Sequence, residues 1–249
     1  MPFVFRTPEW FDEVDSTSTF LRERQAGRLD TSGTVVAARA QTAGRGRMGN
    51  TWYSLPDQDL MFSFLLREKI PLAESGTLSL VCALGTADFL LSRGIRPLCK
   101  WPNDLLVEGG KITGILAESR MAGGEMEIVV GIGLNVRKNP ERDKAAAKPT
   151  TSLEDHGESC LEPALLLPPL LACLEKRIDA WLRAGFAGLS GDYADMLWGA
   201  GKQTVVRTGR DTIEGVITGI DAGGMLRILL PDGGEKIISS CVALEPKTD

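Results

Sequence analysis

The chain has 249 residues, 43% hydrophobic and 24% charged, with a formal net charge of −5. That allows one large domain plus a small module with a core that needs no staples, and it argues against a general nucleic-acid binder while leaving room for a local basic nucleotide site. The N-terminus has no basic segment followed by a long apolar one, and no apolar run nears membrane-spanning length, so neither a signal peptide nor a membrane helix is expected.

Asp15-Ser16-Thr17 precedes a helical stretch that Gly27 ends. Asp, Ser and Thr accept hydrogen bonds from the free amides of a first helical turn, and glycine closes a last one. Residues 34–40 are β-branched and apolar and predict a buried strand, and residues 60–66 predict a second. Leu78, Val81, Cys82, Gly85 and Phe89 recur at helical spacing and place a helix over 74–93. Strands are expected over 96–101, 111–118 and 125–134. Their connections are short, which favours hairpin neighbours and a mixed sheet with flanking helices. Residues 137–149 are polar and read as an exposed loop, and 161–183 carry a helical repeat around a Pro168-Pro169 start. Beyond Gly199-Ala200-Gly201 the chain changes to short β-rich runs separated by Asp221-Ala222-Gly223-Gly224 and Pro231-Asp232-Gly233-Gly234. Such spacing predicts a small barrel, too small for an independent core and so docked on the main domain. The division expected is 1–199 and 200–249.

Between the first two strands lies Gly44-Arg45-Gly46-Arg47-Met48-Gly49-Asn50-Thr51-Trp52. Glycines let a backbone approach a ligand closely, and arginines supply permanently charged donors for phosphate or carboxylate. The stretch formally matches a dinucleotide-binding fingerprint. That fingerprint needs a helix opening at its third glycine, whereas residues 50–56 carry no helical repeat and end at Pro56. A loop that closes over an anion is the better reading. Five cysteines (Cys82, Cys99, Cys160, Cys173, Cys241) form no CxxC pair and read as reduced thiols of a cytosolic protein. His156, the single histidine, sits in a polar stretch and reads as a solvated loop residue. With no cluster of His and Cys, a structural zinc is not expected.

Five motifs stand in order: Asp15-Ser16-Thr17, the glycine loop through Trp52, Lys100-Trp101-Pro102-Asn103-Asp104-Leu105, Lys111-Ile112-Thr113-Gly114-Ile115-Leu116 and Gly131-Ile132-Gly133-Leu134-Asn135-Val136. The series resembles the biotin protein ligases (biotin–acetyl-CoA-carboxylase ligases), and the terminal barrel resembles that family's C-terminal module. No room for a winged helix-turn-helix precedes Asp15, so the monofunctional type without DNA binding is expected.

The resemblance implies an α+β fold. It is a mixed β-sheet with flanking helices, of the class II synthetase-like biotin/lipoate ligase kind, plus a small C-terminal SH3-like β-barrel. It also implies a reaction in two steps. The carboxylate of biotin attacks the α-phosphate of ATP, with Mg²⁺, giving biotinyl-5′-AMP and pyrophosphate. A lysine of a biotin carboxyl carrier protein then attacks the activated carbonyl and expels AMP. An anion must attack a polyanion, so preorganised cations and amide donors are required. A cytoplasmic enzyme is expected, without DNA or membrane partners, and a homodimer through the sheet edge is one arrangement the family allows.

Residue by residue, the resemblance makes Lys111 the catalytic lysine between biotin carboxylate and α-phosphate. Arg45 and Arg47 belong to the loop that orders over the adenylate, with Arg47 the phosphate contact. Trp52 offers a face to adenine or braces the loop, and Asn135 lies near the nucleotide. Asn103 and Asp104 orient Mg²⁺-bound phosphate or the incoming amine. Ser16, Thr17 and Gln41 read the ureido ring, and Gly44, Gly114, Gly131 and Gly133 let the ligand lie against backbone. Three departures stand out: Asn50 in place of an arginine, Ser18 in place of an asparagine, and Ser239-Ser240-Cys241 in place of a Ser-Gly-Glu-like ending. Two rivals are a lipoate or octanoate ligase or transferase, the transferase needing a nucleophilic Cys for which Cys99 beside Lys100, in an apolar strand, is a poor match, and a degenerate binder suggested by Asn50 alone.

Overall fold

The computed structural model describes residues 2–26, 30–146, 148–158 and 162–247. The expected helix stop at Gly27 and Cys160 lie outside these residues. A seven-stranded mixed sheet forms the centre, in the order β1-β2-β3-β7-β6-β5-β4. Its strands are β1 (Glu9–Val14), β2 (Val35–Gln41), β3 (Asp59–Glu68), β4 (Leu98–Lys100), β5 (Asp104–Val107), β6 (Gly110–Ala122) and β7 (Glu125–Asn135). Only β1 and β2 run parallel; every other neighbour pair is antiparallel. The short connections from β4 to β7 therefore make an antiparallel meander, as their lengths required.

The two faces of the sheet do different work. Leu60, Phe62, Phe64 and Leu66 of β3, with Ile128, Val130, Ile132 and Leu134 of β7, point into the main core. Helices α3 (Leu78–Leu91) and α5 (Pro163–Ala184) cover that face. Each fully buried aliphatic side chain there contributes roughly 1.5–3 kcal/mol. On the opposite face α1 (Thr17–Ala26) covers only part of the sheet, through Leu21 packed with Val36, Leu65 and Val129. The uncovered remainder of that face holds the candidate site.

Three expectations about these elements need correction, and two strands were not expected. The stretch 74–93 is not one helix but α2 (Leu72–Ser75) and α3, broken at Gly76-Thr77, where the Thr77 hydroxyl donates to the Glu74 carbonyl at 2.8 Å. Residues 137–149 are not simply a loop: α4 (Pro140–Ala145) starts there, its first amides bonded to the Asn139 side chain. Asn followed by Pro at the first helical position is a helix-start signal that polarity alone conceals. Helix α5 starts at Pro163 and contains Pro168 and Pro169 rather than beginning at them. Strand β1 and strand β5, which opens at Asp104, were not foreseen, being an exposed edge and a four-residue segment.

The C-terminal part is a second, five-stranded antiparallel sheet, β11-β10-β9-β8-β12. Its strands are β8 (Gln203–Arg207), β9 (Thr212–Ile220), β10 (Leu226–Leu229), β11 (Glu235–Ile238) and β12 (Ala243–Pro246). Among the described residues β11 and β12 are not paired, so the SH3-like unit is an open sheet rather than a closed barrel. It docks on the main domain. Ile217, Leu226, Ile228 and Leu244 join the same apolar cluster as α3 and the large sheet. The indole nitrogen of Trp101 donates to the Gly224 carbonyl at 2.9 Å.

Candidate active site

The floor of the site is built from missing side chains. Strand alternation puts Ser63, Gly131 and Gly133 on the same sheet face as Leu65 and Val129, and Gly114 pairs directly with Gly133. A β-carbon at Gly131 would collide with the Ser18 hydroxyl, and one at Gly133 would collide with the Trp52 ring. At Gly114 it would come 2.9 Å from Trp52 and 3.1 Å from Lys111 Nζ. The three glycines thus make a strip of backbone without side chains, on which the Trp52 ring lies at Gly114 and Gly133 and against which a flat group fits.

One end of the strip is polar. Thr17 donates its backbone amide to Gln41 Oε1 at 2.8 Å, and its hydroxyl is 2.8 Å from that of Ser63. Ser18 and Ser63 hydroxyls are 2.9 Å apart. Ser16, Thr17, Ser18 and Ser63 are all buried. Buried hydroxyls need partners, and those of Thr17 and Ser18 find one in Ser63. Gln41 Oε1 also satisfies the first free amide of α1, so the side chain joins β2 to the helix start.

The glycine loop is a hairpin. Gly46 N donates to Asn50 O at 2.7 Å and Trp52 N to Gly44 O at 2.9 Å, around an Arg45–Thr51 bridge. A three-residue 3-10 turn, Arg47–Gly49, makes the tip, with Met48 and Gly49 at positive φ. No helix opens at the third glycine, so the dinucleotide fingerprint has no structural counterpart here. Gly44 is held tight, since a β-carbon would run into the Trp52 carbonyl. Arg45 makes a two-pronged ion pair with Glu118, at 2.8 Å on both prongs. Arg47 NH1 donates to Asn103 Oδ1 at 3.2 Å, and Asn103 donates onward to the Ile115 carbonyl at 3.0 Å.

Lys111 reaches the strip because of a β-bulge. Leu105 pairs with Thr113 but Leu106 pairs with Lys111, which leaves Ile112 as an extra residue. In regular alternation residues 111 and 114 would face opposite sides; the bulge returns Lys111 to the side of Gly114. Lys111 Nζ lies 2.8 Å from Asp104 Oδ1 and 5.8 Å from the Trp52 ring centroid. The lysine backbone is braced on both sides, its amide by Pro149 O at 2.9 Å and its carbonyl by Thr151 N at 3.0 Å. The Asn135 side chain donates to both the Lys111 and Thr151 carbonyls, while its Oδ1 is buried without a partner.

Beside this group a cleft of about 210 Å³ is lined by Arg47, Asn103, Pro102, Ser79 and, from the C-terminal sheet, Ser239. Lys100 stands near it with its ammonium 4.8 Å over the Trp198 ring. Burial and then the neighbouring Lys148 hold its pKa below the ordinary lysine value. Cys99 is buried in β4 and burial pushes its thiol up to about 12, so it stays protonated near neutral pH. Among the described residues no group of three His, Cys, Asp or Glu side chains could hold a metal ion. His156 is half-buried, with its ring nitrogen 3.0 Å from the Thr151 hydroxyl, and so is less solvated than its sequence context suggests.

The structure thus gathers Ser16, Thr17, Gln41, Gly44, Trp52, Asn103, Asp104, Lys111, Gly114, Gly131, Gly133 and Asn135 around one sheet face. Ser63 and Glu118 were missed by sequence reasoning. Ser63 had a signal, as a lone hydroxyl in a buried apolar strand. Glu118 had none, because its partner lies 73 positions away.

Comparison with known proteins adds independent findings. Residues 10–135 match the Biotin/lipoate A/B protein ligase family and residues 200–244 match the Biotin protein ligase C terminal domain. The chain is 33% identical over 238 residues to the "Bifunctional ligase/repressor BirA" of Bacillus subtilis, spanning 94% of this chain and 73% of that protein. It is 34% identical to a Mycobacterium tuberculosis biotin–[acetyl-CoA-carboxylase] ligase, spanning 92% of this chain and 84% of that protein. Among solved structures, the biotin protein ligase of Aquifex aeolicus in complex with biotin and ATP superposes with a TM-score of 0.81 at 28% identity, covering 98% of this chain and all of that one.

Proposed function

The chain belongs to the biotin/lipoate A/B protein ligase family, and we infer from that membership that it is a biotin protein ligase. It attaches biotin to a lysine of a biotin carboxyl carrier protein at the expense of ATP, through biotinyl-5′-AMP. The match to a biotin protein ligase C-terminal domain and the named relatives favour biotin over lipoate. The buried, protonated Cys99 removes the nucleophile that an octanoyl-transferase reading would need.

One observation carries the assignment of residues: Lys111 Nζ stands over a strip of glycines, between a polar hydroxyl cluster and an arginine-bearing loop. In our reading biotin lies along Gly131, Gly133 and Gly114 with its ureido ring at Ser16, Thr17 and Gln41, and Gly44 lets the loop backbone approach. Its carboxylate then ends beside Lys111. The ammonium steadies negative charge as the carboxylate oxygen bonds to the α-phosphorus and pyrophosphate departs. Arg47 and Asn103 face the phosphates, and Trp52 and Asn135 flank the nucleotide. Arg45 belongs to the loop wall around biotin. Asp104 holds Lys111 now and is placed to orient the acceptor amine in the second step. Mg²⁺ would come with the nucleotide and would neutralise phosphate charge, with Asn103 and Asp104 the residues placed to orient the metal-bound phosphates.

We read residues 1–199 as the catalytic unit and 200–249 as the C-terminal module. A cytoplasmic setting agrees with free cysteines and with no described helix long and apolar enough to cross a membrane. A net charge of −5 gives no support to a DNA-binding surface.

The test is a single-turnover assay of the protein with biotin, MgATP and a biotin carboxyl carrier domain, with lipoate and octanoate in parallel. Pyrophosphate release with biotin, followed by labelling of one carrier lysine, is expected. Turnover with lipoate or octanoate alone would overturn the substrate assignment, and biotin binding without pyrophosphate release would leave a degenerate binder.

A further inference from the structure

Glu118 ties the glycine loop and α1 to its own strand. It lies on β6, on the same sheet face as Gly114, because it pairs with Val129 as Gly114 pairs with Gly133. Both of its oxygens take the Arg45 guanidinium, at 2.8 Å each. One of them also accepts from Arg22 of α1 at 3.2 Å. Its side chain is 29% exposed and that of Arg45 is 35% exposed, so the pair is partly shielded from solvent. A two-pronged arginine–carboxylate pair fixes orientation as well as distance. Glu118 is therefore bonded at once to the glycine loop and to the helix whose start carries the hydroxyl cluster.

We propose that Glu118 is a positioning residue that fastens the glycine loop to β6 and α1, so that the loop stays closed over the bound adenylate, with Arg45 acting as the loop's anchor rather than as a free cation for the ligand. This rests on the reading under Proposed function. The loop itself is short of internal restraint. Its hairpin holds three backbone bonds, Gly46–Asn50, Asn50–Arg47 and Trp52–Gly44, and its tip carries two positive-φ residues. Side-chain attachment comes from Arg45 on one side and the single Arg47–Asn103 bond on the other. Of these the Glu118 pair is the shorter and the doubly bonded one. When it is lost, the Trp52 ring loses the loop that presses it against Gly133 and Gly114.

The experiment compares wild type with Glu118→Gln, Arg45→Gln, the double variant and Glu118→Asp, using the full chain. Hydrogen exchange in the absence of any ligand reads the amides of residues 44–52. Retention of radiolabelled biotinyl-AMP on the protein reads loop closure. Glu118→Gln is expected to speed exchange of the Gly46 and Trp52 amides and to raise adenylate release about tenfold, the effect of losing one charge-assisted contact. The Michaelis constant for biotin should rise while the rate of adenylate formation changes little. Arg45→Gln should speed exchange of the same amides and raise adenylate release, the double variant should be no worse than either in these two readouts, and Glu118→Asp should restore part of the effect. Unchanged loop exchange in Glu118→Gln, or strictly additive effects of the two single variants, would overturn the proposal. A wild type that makes no biotinyl-AMP would sink the ligase reading instead, and the ligand-free exchange would still decide whether Glu118 fastens the loop.

Discussion

A single ammonium carries most of the chemistry at the residue scale. Lys111→Ala leaves the sheet intact, because the lysine contributes its backbone to β6 and its side chain to the open face. Adenylate formation should fall by about a hundredfold or more, the usual cost of deleting a preorganised stabilising group, while the urea midpoint stays near that of wild type. Pyrophosphate release and an unfolding curve on the same sample check both halves. Gly133→Ala tests the floor. Its new methyl group would meet the Trp52 ring, and overpacking of this kind costs about 1–3 kcal/mol. Weaker biotin binding by titration is expected, and unaltered binding would remove Gly133 from the ligand's path. Ser63→Ala would leave the Thr17 and Ser18 hydroxyls without their shared partner, so biotin affinity should fall severalfold, by roughly the 1 kcal/mol of one net hydrogen bond. Cys99 should resist alkylation in the native protein at neutral pH and react only after unfolding, as mass spectrometry would show.

Connections matter more than elements one scale up. The polar stretch before Pro149 gave no apolar period, so periodicity could not reveal α4. Its start was nevertheless written in Asn139-Pro140. Asn139 Oδ1 accepts from the amides of Glu141 at 3.1 Å and Arg142 at 3.0 Å. Asn139→Ala should cost about 1 kcal/mol, as loss of a helix cap commonly does. Arg142 adds a reason for the helix: it is buried, 3.0 Å from buried Asp59, whose carboxyl is pushed up by burial and drawn back by the arginine. Helix α4 leads into the segment 149–151 that brackets Lys111 on both backbone sides. The Asn139 variant should therefore also slow adenylate formation modestly, and a purely thermodynamic loss with full activity would show that the bracket holds without the cap.

The molecule as a whole is held together across its two sheets by a turn rather than by a linker. Gly224, at φ +78, accepts from the buried Trp101 indole, and a β-carbon there would approach Leu80 to 2.6 Å. Trp101 belongs to the same motif as Asn103 and Asp104, so the C-terminal module presses on the residues beside Lys111. Gly224→Ala should lower the thermal midpoint by several degrees through combined backbone strain and overpacking. It should also reduce biotin transfer to the carrier. A normal midpoint with normal transfer would mean that the turn is not a fixed joint.

Much of this arrangement was legible beforehand. The order of the motifs, the strand preceding the glycine loop, the short hairpin-like connections around residues 102–104 and 109–110 and the change to short strands after residue 200 all follow from local composition and spacing, which propensity and turn chemistry control. The glycine loop could be separated from a dinucleotide fold because a missing helix start is also a local fact. What remained hidden is non-local. The bulge at Ile112 turns Lys111 to the glycine strip, and it depends on how β5 pairs with β6. The partners of Arg45, Thr17 and Trp101 lie 73, 46 and 123 positions away. Side-chain pairing over such separations is fixed only when strands choose their neighbours and register. The sequence by itself determined which chemical groups this protein possesses and roughly which strands and loops carry them. The tertiary structure alone decided which of those groups face one another.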